Sequence, residues 1–279
     1  DLDQDGQEEI VLVGEWMRVT VFQKEADRYE NRTEQFGFSD TDGWWFSLET
    51  GDFDNDGDID LIAGNLGLNY KYQATEEETF DLYVSDFDLN SSNDLVLGYF
   101  NDGEQFPERG RQCSSEQIPA DTLEDIYGKK DLENAKHFQV KSFSSKYFEN
   151  DGDGTFSGID LPFEAQFSSI NDMIVTDLND DNLLDVIAAG NLYASEVETP
   201  RADANIGLVL IGNGDGSFDP LSLEESGLLL NQDVKTLSFI EDLRGKLLFA
   251  ASNQGPLQVY RLQNEEDNSS TLTSSGFSK

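Results

Sequence analysis

The sequence predicts an all-β protein built from a repeated strand–loop–strand unit, and three observations lead to that fold class. Four acidic loops share one pattern of oxygen-bearing residues. A short apolar stretch that ends in glycine follows each loop. Gly-rich turn sequences at 150–156 and 212–218 follow other apolar stretches, as β-hairpins require. Because one unit recurs, a β-propeller of four-stranded blades is favoured over a sandwich or a barrel.

The four acidic loops carry oxygen-bearing side chains at positions 1, 3, 5 and 9. Position 2 is always Leu or Phe. The side chains at the four oxygen-bearing positions are Asp1, Asp3, Asp5 and Glu9; Asp52, Asp54, Asp56 and Asp60; Asp86, Asp88, Asn90 and Asp94; and Asp177, Asn179, Asp181 and Asp185. Oxygens at alternate positions point toward one centre when a loop curls, so each loop is a candidate cation site.

Short strand-like stretches flank the loops and define the predicted unit. Those that follow the loops are 10–14, 61–64, 95–98 and 186–190. Those that precede the last three loops are 46–48, 81–84 and 170–175. A degenerate fifth unit has strand-like stretches at 234–240 and 246–251, without an acidic loop between them. We therefore predict about five blades or part-blades.

Calcium is the ion that this donor set fits best, because it takes about six to eight oxygens in a flexible shell. Backbone carbonyls at position 7 would add one oxygen each, from Gln7, Asp58, Ser92 and Leu183. The carboxylate at position 9 would then close the shell. An EF-hand closes with Glu at position 12, where this chain has Leu12, Ala63, Leu97 and Ala188. The EF-hand is therefore excluded.

Other ions and an ordinary turn explain the loops less well. Magnesium demands octahedral geometry and keeps its waters, and one His and one Cys cannot supply a zinc or copper site. Asp, Asn and Gly also form plain turns, but a turn needs no acid at the start of the next strand, where Asp is disfavoured. We expect up to four Ca²⁺ ions.

Loop position 6 requires a residue that tolerates a positive φ angle. Gly6 and Gly57 meet this requirement freely, Asn182 tolerates it and Ser91 is a poor choice. We therefore expect the loop that begins at Asp52 to be the best site and the loop that begins at Asp86 to fill last.

The uneven spacing of the loops sets the predicted boundaries, because a four-stranded blade needs about 40–50 residues. The predicted units are about 1–40, 41–79, 80–162, 163–230 and 231–263. An insertion at about 104–140 would contain a helix near 121–127. The Ser- and Asn-rich tail at 264–279 is predicted to be disordered.

Charge excludes several classes of partner. The chain has 57 Asp and Glu against 18 Lys and Arg, a net charge of −39. Phosphate backbones and anionic membrane surfaces would be repelled, so we expect no nucleic-acid binding. The sequence has no apolar run of about 18 residues, so we predict no membrane insertion. Cys113 is the single cysteine and permits no internal disulfide. Since the chain opens inside a motif, we expect a targeting signal that lies upstream or was removed, and other domains of a longer chain.

Segments outside the loops extend the pattern, at 43–48, 64–72, 163–168 and 203–207. Together with the loops they resemble the FG-GAP or VCBS repeat family, and in particular the C-terminal repeat region of bacterial proteins related to the ASPIC/UnbV and cartilage acidic protein group. The resemblance implies an integrin-α-like β-propeller with structural calcium in its blade loops. It also implies an extracellular, cell-surface or periplasmic location and a ligand on the face opposite the loops.

A binding or adhesion module for a protein or glycan partner is the function that this pattern favours. The alternatives are a propeller domain of a lyase-like polysaccharide-degrading enzyme and a passive spacer in a surface protein. We expect no enzyme activity and no catalytic residues, because His137 is the only histidine and has no nucleophile partner in the sequence. Exposed Trp16, Trp44 or Trp45 would stack on sugars, but we expect Trp44 or Trp45 to pack between blades.

Overall fold

The computed structural model describes residues 1–108, 121–195, 201–243, 245–262 and 273–274. Short antiparallel strands dominate this part of the chain and form several small sheets, so the protein is mostly β, as predicted. Within these ranges, no helix has the length and apolar character needed to cross a membrane.

The first sheet has three strands and follows the first acidic loop. The strands of this region are β1 (Ile10–Leu12), β2 (Glu15–Met17), β3 (Thr20–Glu25), β4 (Arg28–Asn31) and β5 (Gly43–Trp44). The three-stranded sheet has the order β1-β3-β4, and β2 pairs separately with β5. Within the described residues, no strand pairs with the second edge of β1.

The second sheet has the order β13-β12-β7-β6 and is interrupted in sequence by an inserted sheet. Its strands are β6 (Ser47–Gly51), β7 (Asp60–Gly64), β12 (Lys146–Asn150) and β13 (Phe156–Asp160). The inserted sheet has the order β10-β9-β8-β11. Its elements are β8 (Phe80–Ser85), β9 (Asp94–Asn101), β10 (Glu104–Pro107), helices α1 (Leu123–Tyr127) and α2 (Lys129–Asn134), and β11 (Lys136–Val140).

This pairing differs from the predicted units at 41–79 and 80–162. The predicted boundary separates β7 from β12, whereas Leu61 in β7 pairs directly with Phe148 in β12. The inserted strands begin at Phe80, well before the predicted insertion at about 104–140. The predicted helix near 121–127 is present as α1, where Thr122 and Asp125 form a capping box. Cys113 lies outside the described residues.

The third and fourth sheets are simple antiparallel meanders. The third has the order β14-β15-β16-β17, with β14 (Asp172–Thr176), β15 (Asp185–Ala189), β16 (Leu208–Gly212) and β17 (Phe218–Pro220). A short 3-10 helix (Phe163–Gln166) precedes it, and helix α3 (Leu223–Ser226) follows. The fourth contains β18 (Val234–Asp242), β19 (Gly245–Ser252), β20 (Gln258–Arg261) and β21 (Thr273–Ser274). Except for β21, the predicted disordered tail at 264–279 lies outside the described residues.

Buried side chains pack the sheets against one another in chain order. Leu61 of the second sheet lies in a cluster with Val21 of the first sheet, while its neighbour Ile62 lies in a cluster with Val186 of the third. Next, Ile187 lies in a cluster with Leu248 of the fourth sheet. Alternate side chains of a strand point to opposite faces, so the central strands of the middle sheets are apolar on both faces.

Candidate metal centres

Each acidic loop lies at the same place in its strand pair. The second loop joins β6 to β7, the third joins β8 to β9 and the fourth joins β14 to β15, while the first leads into β1. The apolar residue at position 2 anchors the loop in the core. Phe53, for example, is 2% exposed and its ring centroid lies 5.9 Å from that of Tyr147 and 5.6 Å from that of Phe218.

The four loops share one backbone conformation, with positive φ angles at positions 4 and 6. The prediction for position 6 is confirmed at Gly6, Gly57, Ser91 and Asn182, with φ angles of 86°, 98°, 71° and 69°. Position 4 was not predicted, and its φ angles of 56° to 62° occur at Gln4, Asn55, Leu89 and Asp180. Only Asn and Asp among these favour that conformation, so the residue types gave little signal.

Backbone N–H groups hold the side chains at positions 3 and 5. The N–H of position 7 donates to a side-chain oxygen of position 5 at 2.8 to 2.9 Å in every loop. The N–H of position 5 donates to position 3 at 3.1 to 3.2 Å. These are the side-chain-to-backbone turns that Asp and Asn form locally, and they restrict the orientation of the side chains at positions 3 and 5.

The carboxylate at position 9 closes each loop by accepting the N–H of position 2. The distances are 2.7 Å for Leu2 to Glu9, 3.0 Å for Phe53 to Asp60, 3.0 Å for Phe87 to Asp94 and 2.8 Å for Leu178 to Asp185. This structural role was not predicted, because the sequence assigned position 9 only to the calcium shell.

In two loops, position 9 also binds the third strand of its sheet. Asp60 accepts the N–H of Asn150 at 2.9 Å and the hydroxyl of Tyr147 at 2.9 Å. Asp185 accepts the N–H of Gly212 at 2.9 Å. Both carboxylates are fully buried. Each therefore connects its loop to a strand that is distant in sequence.

Three of the four loops bring three carboxylates together, with oxygens within 4.8 Å of one another. The groups are Asp1, Asp3 and Asp5; Asp52, Asp54 and Asp60; and Asp86, Asp88 and Asp94. Glu9 and Asp56 are outside the first two groups. In the described residues, the fourth loop forms no such group, since Asn179 replaces the acid at position 3. The four carbonyl ligands predicted at position 7 remain predictions.

Electrostatics of the second loop favour a bound cation. The Oδ1 atom of Asp52 is buried and accepts no hydrogen bond, and Oε1 of Glu9 in the first loop is in the same state. Burial raises the pKa of Asp54, and the nearby charges of Asp56 and Asp52 raise it further. Burial also raises the pKa of Asp60, against its hydrogen bonds. Unpaired buried carboxylate oxygens are costly, and they are the hard donors that calcium takes.

His137 takes part in a contact between strands. Its Nε2 atom lies 2.6 Å from Oδ1 of Asp81, and its ring stacks on Tyr83 at 4.5 Å. Asp81 is 1% exposed and also accepts hydrogen bonds from Thr79 and Gln105. The histidine thus connects β11 to β8 in the inserted sheet.

The tryptophans lie in the core or at its edge, which agrees with the expectation that Trp44 or Trp45 is packed rather than exposed. Trp45 is 2% exposed and donates its indole N–H to the carbonyl of Thr41 at 3.0 Å. Trp44 is partly buried, and its ring lies 5.3 Å from that of Trp16 and 6.2 Å from that of Phe80. These rings join the inserted sheet to the strands around it.

Comparison with known proteins identifies one repeat. Residues 1–63 match the family described as FG-GAP-like repeat, a stretch that contains the first two acidic loops, strands β1 to β6 and most of β7. No curated protein matches the chain. Over these residues the chain is similar to an FG-GAP-like repeat, and this similarity suggests a β-propeller-like binding module.

Proposed function

We propose that the protein is a calcium-binding, β-propeller-like module that binds a protein or glycan partner, with calcium in a structural role. The observation that carries the proposal is the common geometry of the four loops. All four have the same two positive φ angles and the same hydrogen bonds to positions 3, 5 and 9. A plain turn does not require a buried, unpaired carboxylate oxygen such as Oδ1 of Asp52.

Calcium would stabilise the folded state by neutralising grouped carboxylates. Without a cation, the like charges of Asp52, Asp54 and Asp60 repel one another. An ion that binds only the folded state stabilises it by about 2.7 kcal/mol at one hundred times its dissociation constant. Since the loop also connects β6 to β7 and reaches β12 through Asp60, repulsion there would weaken the whole sheet.

The expected calcium affinity and the proposed location of the protein follow from the same carboxylate chemistry. Extracellular calcium modules bind at about 10⁻⁴–10⁻³ M, which suits an extracellular, cell-surface or periplasmic protein. A relationship to the repeat region of ASPIC/UnbV-type proteins is part of this proposal. The structural contact of His137 with Asp81 supports a non-catalytic role.

Calorimetric titration of calcium into chelator-stripped protein tests the proposal. We expect up to four bound ions, with the loop at Asp52 among the first to fill. Asp56→Ala should remove one ion, because Asp56 provides the oxygen at position 5 of that loop. Asp27→Ala, in the β3–β4 turn outside the loops, is the matched control and should leave the number of bound ions unchanged. Absence of binding at millimolar calcium would overturn the proposal.

Thermal unfolding tests the structural role separately. We expect a higher melting temperature with calcium than with chelator, and little recovery with magnesium at the same concentration. An identical melting temperature in all three conditions would mean that the loops are ordinary turns.

A further inference from the structure

A polar cavity of about 660 Å³ opens beside the first sheet. Arg18 before β3, Thr20 in β3, Asn31 at the end of β4, the turn at 32–35 and Asp42 line it. The cavity lies beside the start of β3, at Thr20. The first acidic loop lies near the other end of this strand, because the side-chain amide of Gln23 donates to Asp3 at 2.7 Å. The first acidic loop and the larger cavity thus lie at opposite ends of the first sheet.

A smaller cavity of about 180 Å³ adjoins it, and Asp42 lines both. Trp45, Ser142 and Lys146 are among its other walls. We refer to these two cavities together as the recess, and a ligand longer than the first cavity could extend past Asp42 into the second.

Several groups on the larger cavity have no protein partner among the described residues. Arg18 uses its Nε atom on Asp42 at 3.3 Å, which leaves its terminal amines without a hydrogen bond. Three other groups likewise have no hydrogen-bond partner among the described residues: the side-chain amide of Gln35, the carboxylate of Glu34 and Nδ2 of Asn31. The wall therefore offers unused donors and unused acceptors side by side.

The charges on this wall balance, although the chain as a whole has a net charge of −39. Arg18 and Arg32 oppose Glu34 and Asp42, and Arg32 is also paired with Glu25 outside the cavity. An anionic ligand would face acids on the wall and the negative field of the whole protein. A cationic ligand would face two guanidinium groups.

We infer that this recess binds a short neutral oligosaccharide. A sugar hydroxyl both donates and accepts, so it satisfies the mixed set of Arg18, Asn31, Glu34 and Gln35 without leaving a charge unpaired. The volume lies in the range of about 300–1,000 Å³ that is usual for small-molecule sites. The inference rests on the proposed binding function and specifies the class of ligand, but it does not depend on calcium.

Binding to immobilised oligosaccharides tests this inference. The panel contains neutral tri- and tetrasaccharides of glucose, galactose, mannose, xylose and N-acetylglucosamine, beside uronate-bearing and sulfated counterparts, with the calcium-loaded protein. We expect binding to neutral members. Arg18→Ala and Gln35→Ala should each weaken the tightest interaction by about tenfold, the effect of one lost hydrogen bond to the ligand.

The matched control is Arg28→Ala, which removes the same kind of charge from strand β4 beside the cavity's sheet residues. Arg28 lies at the opposite end of β4, and its side chain is 78% exposed, so glycan affinity should be unchanged. Gln35 is exposed and has no side-chain partner among the described residues, so its variant remains informative even if Arg18→Ala fails to fold.

Three outcomes would overturn the inference: no neutral oligosaccharide bound at millimolar concentration, preferential binding of the acidic members, or unchanged affinity in Gln35→Ala. The calcium-dependent melting shift is measured on the same protein. If calcium raises the melting temperature but no glycan binds, only the inference about the recess is rejected. If a glycan binds but calcium does not raise the melting temperature, the proposed structural role of calcium is rejected.

Discussion

The backbone φ angle at position 6 is positive in every acidic loop. The residue types at this position differ in how well they tolerate a positive φ angle. Gly57 adopts 98° and Ser91 adopts 71°. A side chain in this region costs about 1–2 kcal/mol per residue, while glycine adopts it freely. The third loop therefore contains backbone strain that the second loop avoids.

Exchanging these residue types should change stability in opposite directions. Ser91→Gly should stabilise the protein by about 0.5–1 kcal/mol, and Gly57→Ala should destabilise it by about 1–2 kcal/mol. A Cβ on Gly57 would meet no atom within 4 Å, so its cost comes from φ alone. Urea unfolding in chelator measures both changes. Equal destabilisation by the two variants would contradict the strain argument.

Asp60 and Asp56 occupy the same loop but have different roles. Asp60→Ala would leave three donors without an acceptor, on Phe53, Tyr147 and Asn150. We expect a loss of about 2–4 kcal/mol both with calcium and with chelator. Asp56→Ala should lower the free energy of unfolding much more with calcium than with chelator. Urea unfolding in the two conditions separates the roles, and a purely calcium-dependent effect of Asp60→Ala would contradict this assignment.

The pH dependence of stability should reverse when calcium is removed. Burial raises the pKa of Asp60 and Asp185 in the folded state above the ordinary value of 3.8. A carboxyl group whose pKa is higher in the folded state than in the unfolded state stabilises the folded protein at pH values below its unfolded-state pKa. That stabilisation is lost as the pH rises through the folded-state pKa. The metal-free protein should therefore lose stability as pH rises from about 4 toward neutrality.

With calcium, acidification should destabilise the protein, because protons compete with the ion for the same carboxylates. Thermal unfolding between pH 4 and 7 measures both slopes. Asp60→Ala should reduce the slope of the metal-free protein. The same slope with calcium and with chelator would show that these carboxylates do not bind the ion.

Among the structural elements, the inserted sheet is held by a polar connection across all four of its strands. Gln105 in β10 donates to Asp81 in β8 at 2.5 Å, and His137 in β11 contacts the same carboxylate. Gln105 reaches Asp81 by passing over β9 at Gly98, which pairs with Asp81. The lack of a side chain at Gly98 leaves room for that path.

Gly98→Ala should therefore destabilise the inserted sheet by about 1–3 kcal/mol through overpacking. The new Cβ would lie 2.6 Å from Cδ1 of Leu123 in α1 and 3.2 Å from Nε2 of Gln105. Leu95→Ala is the control, because Leu95 lies on the same strand with 72% of its surface exposed. Urea unfolding of both variants measures the effect. A loss in the control equal to that in Gly98→Ala would contradict the steric argument.

Local sequence predicted individual strands better than it predicted their partners. The strands on either side of the loop at Asp52 follow from the acidic pattern and the apolar run at 61–64, and they are present as β6 and β7. The pairing of β7 with β12 depends on residues more than eighty positions apart, and the sequence contains no local sign of it. The third loop has the form of a blade loop, so the hairpin of β8 and β9 was assigned to a separate blade.

The candidate sites show the same division between local and distant information. Positions 1, 3 and 5 carry a recognisable acid pattern, but only the first loop groups the acids at those three positions, whereas the second and third loops group positions 1, 3 and 9. The contacts of position 9 with the third strand, at Asn150 and Gly212, require the assembled sheet. Residue types at position 4 gave little signal, because the loop backbone imposes the φ angle on Leu89 and Gln4 alike.

For the whole molecule, a net charge of −39 should make stability depend on ionic strength. Salt screens interactions beyond about 10 Å at 0.1 M. We expect added sodium chloride to raise the melting temperature of the metal-free protein by several degrees, since about 1 kcal/mol corresponds to about 2–4 °C in a protein of comparable size.

The calcium-loaded protein should respond much less, because bound ions already neutralise the most crowded carboxylates. Potassium chloride at the same ionic strength serves as the control for a specific effect of sodium. Equal salt responses with and without calcium would place the repulsion outside the loops.

The position of the inserted sheet also has a consequence for the order of folding. The second sheet cannot join β7 to β12 until the chain from Asn65 to Ser145 has been brought into a compact form. Closing so long a segment in one step carries a large entropic cost, which is smaller once β8 to β11 have formed their own sheet. Contacts between residues distant in sequence form slowly, whereas the third and fourth sheets need only neighbouring strands. The second sheet should therefore be the last to complete during refolding, even though its first two strands leave the ribosome early.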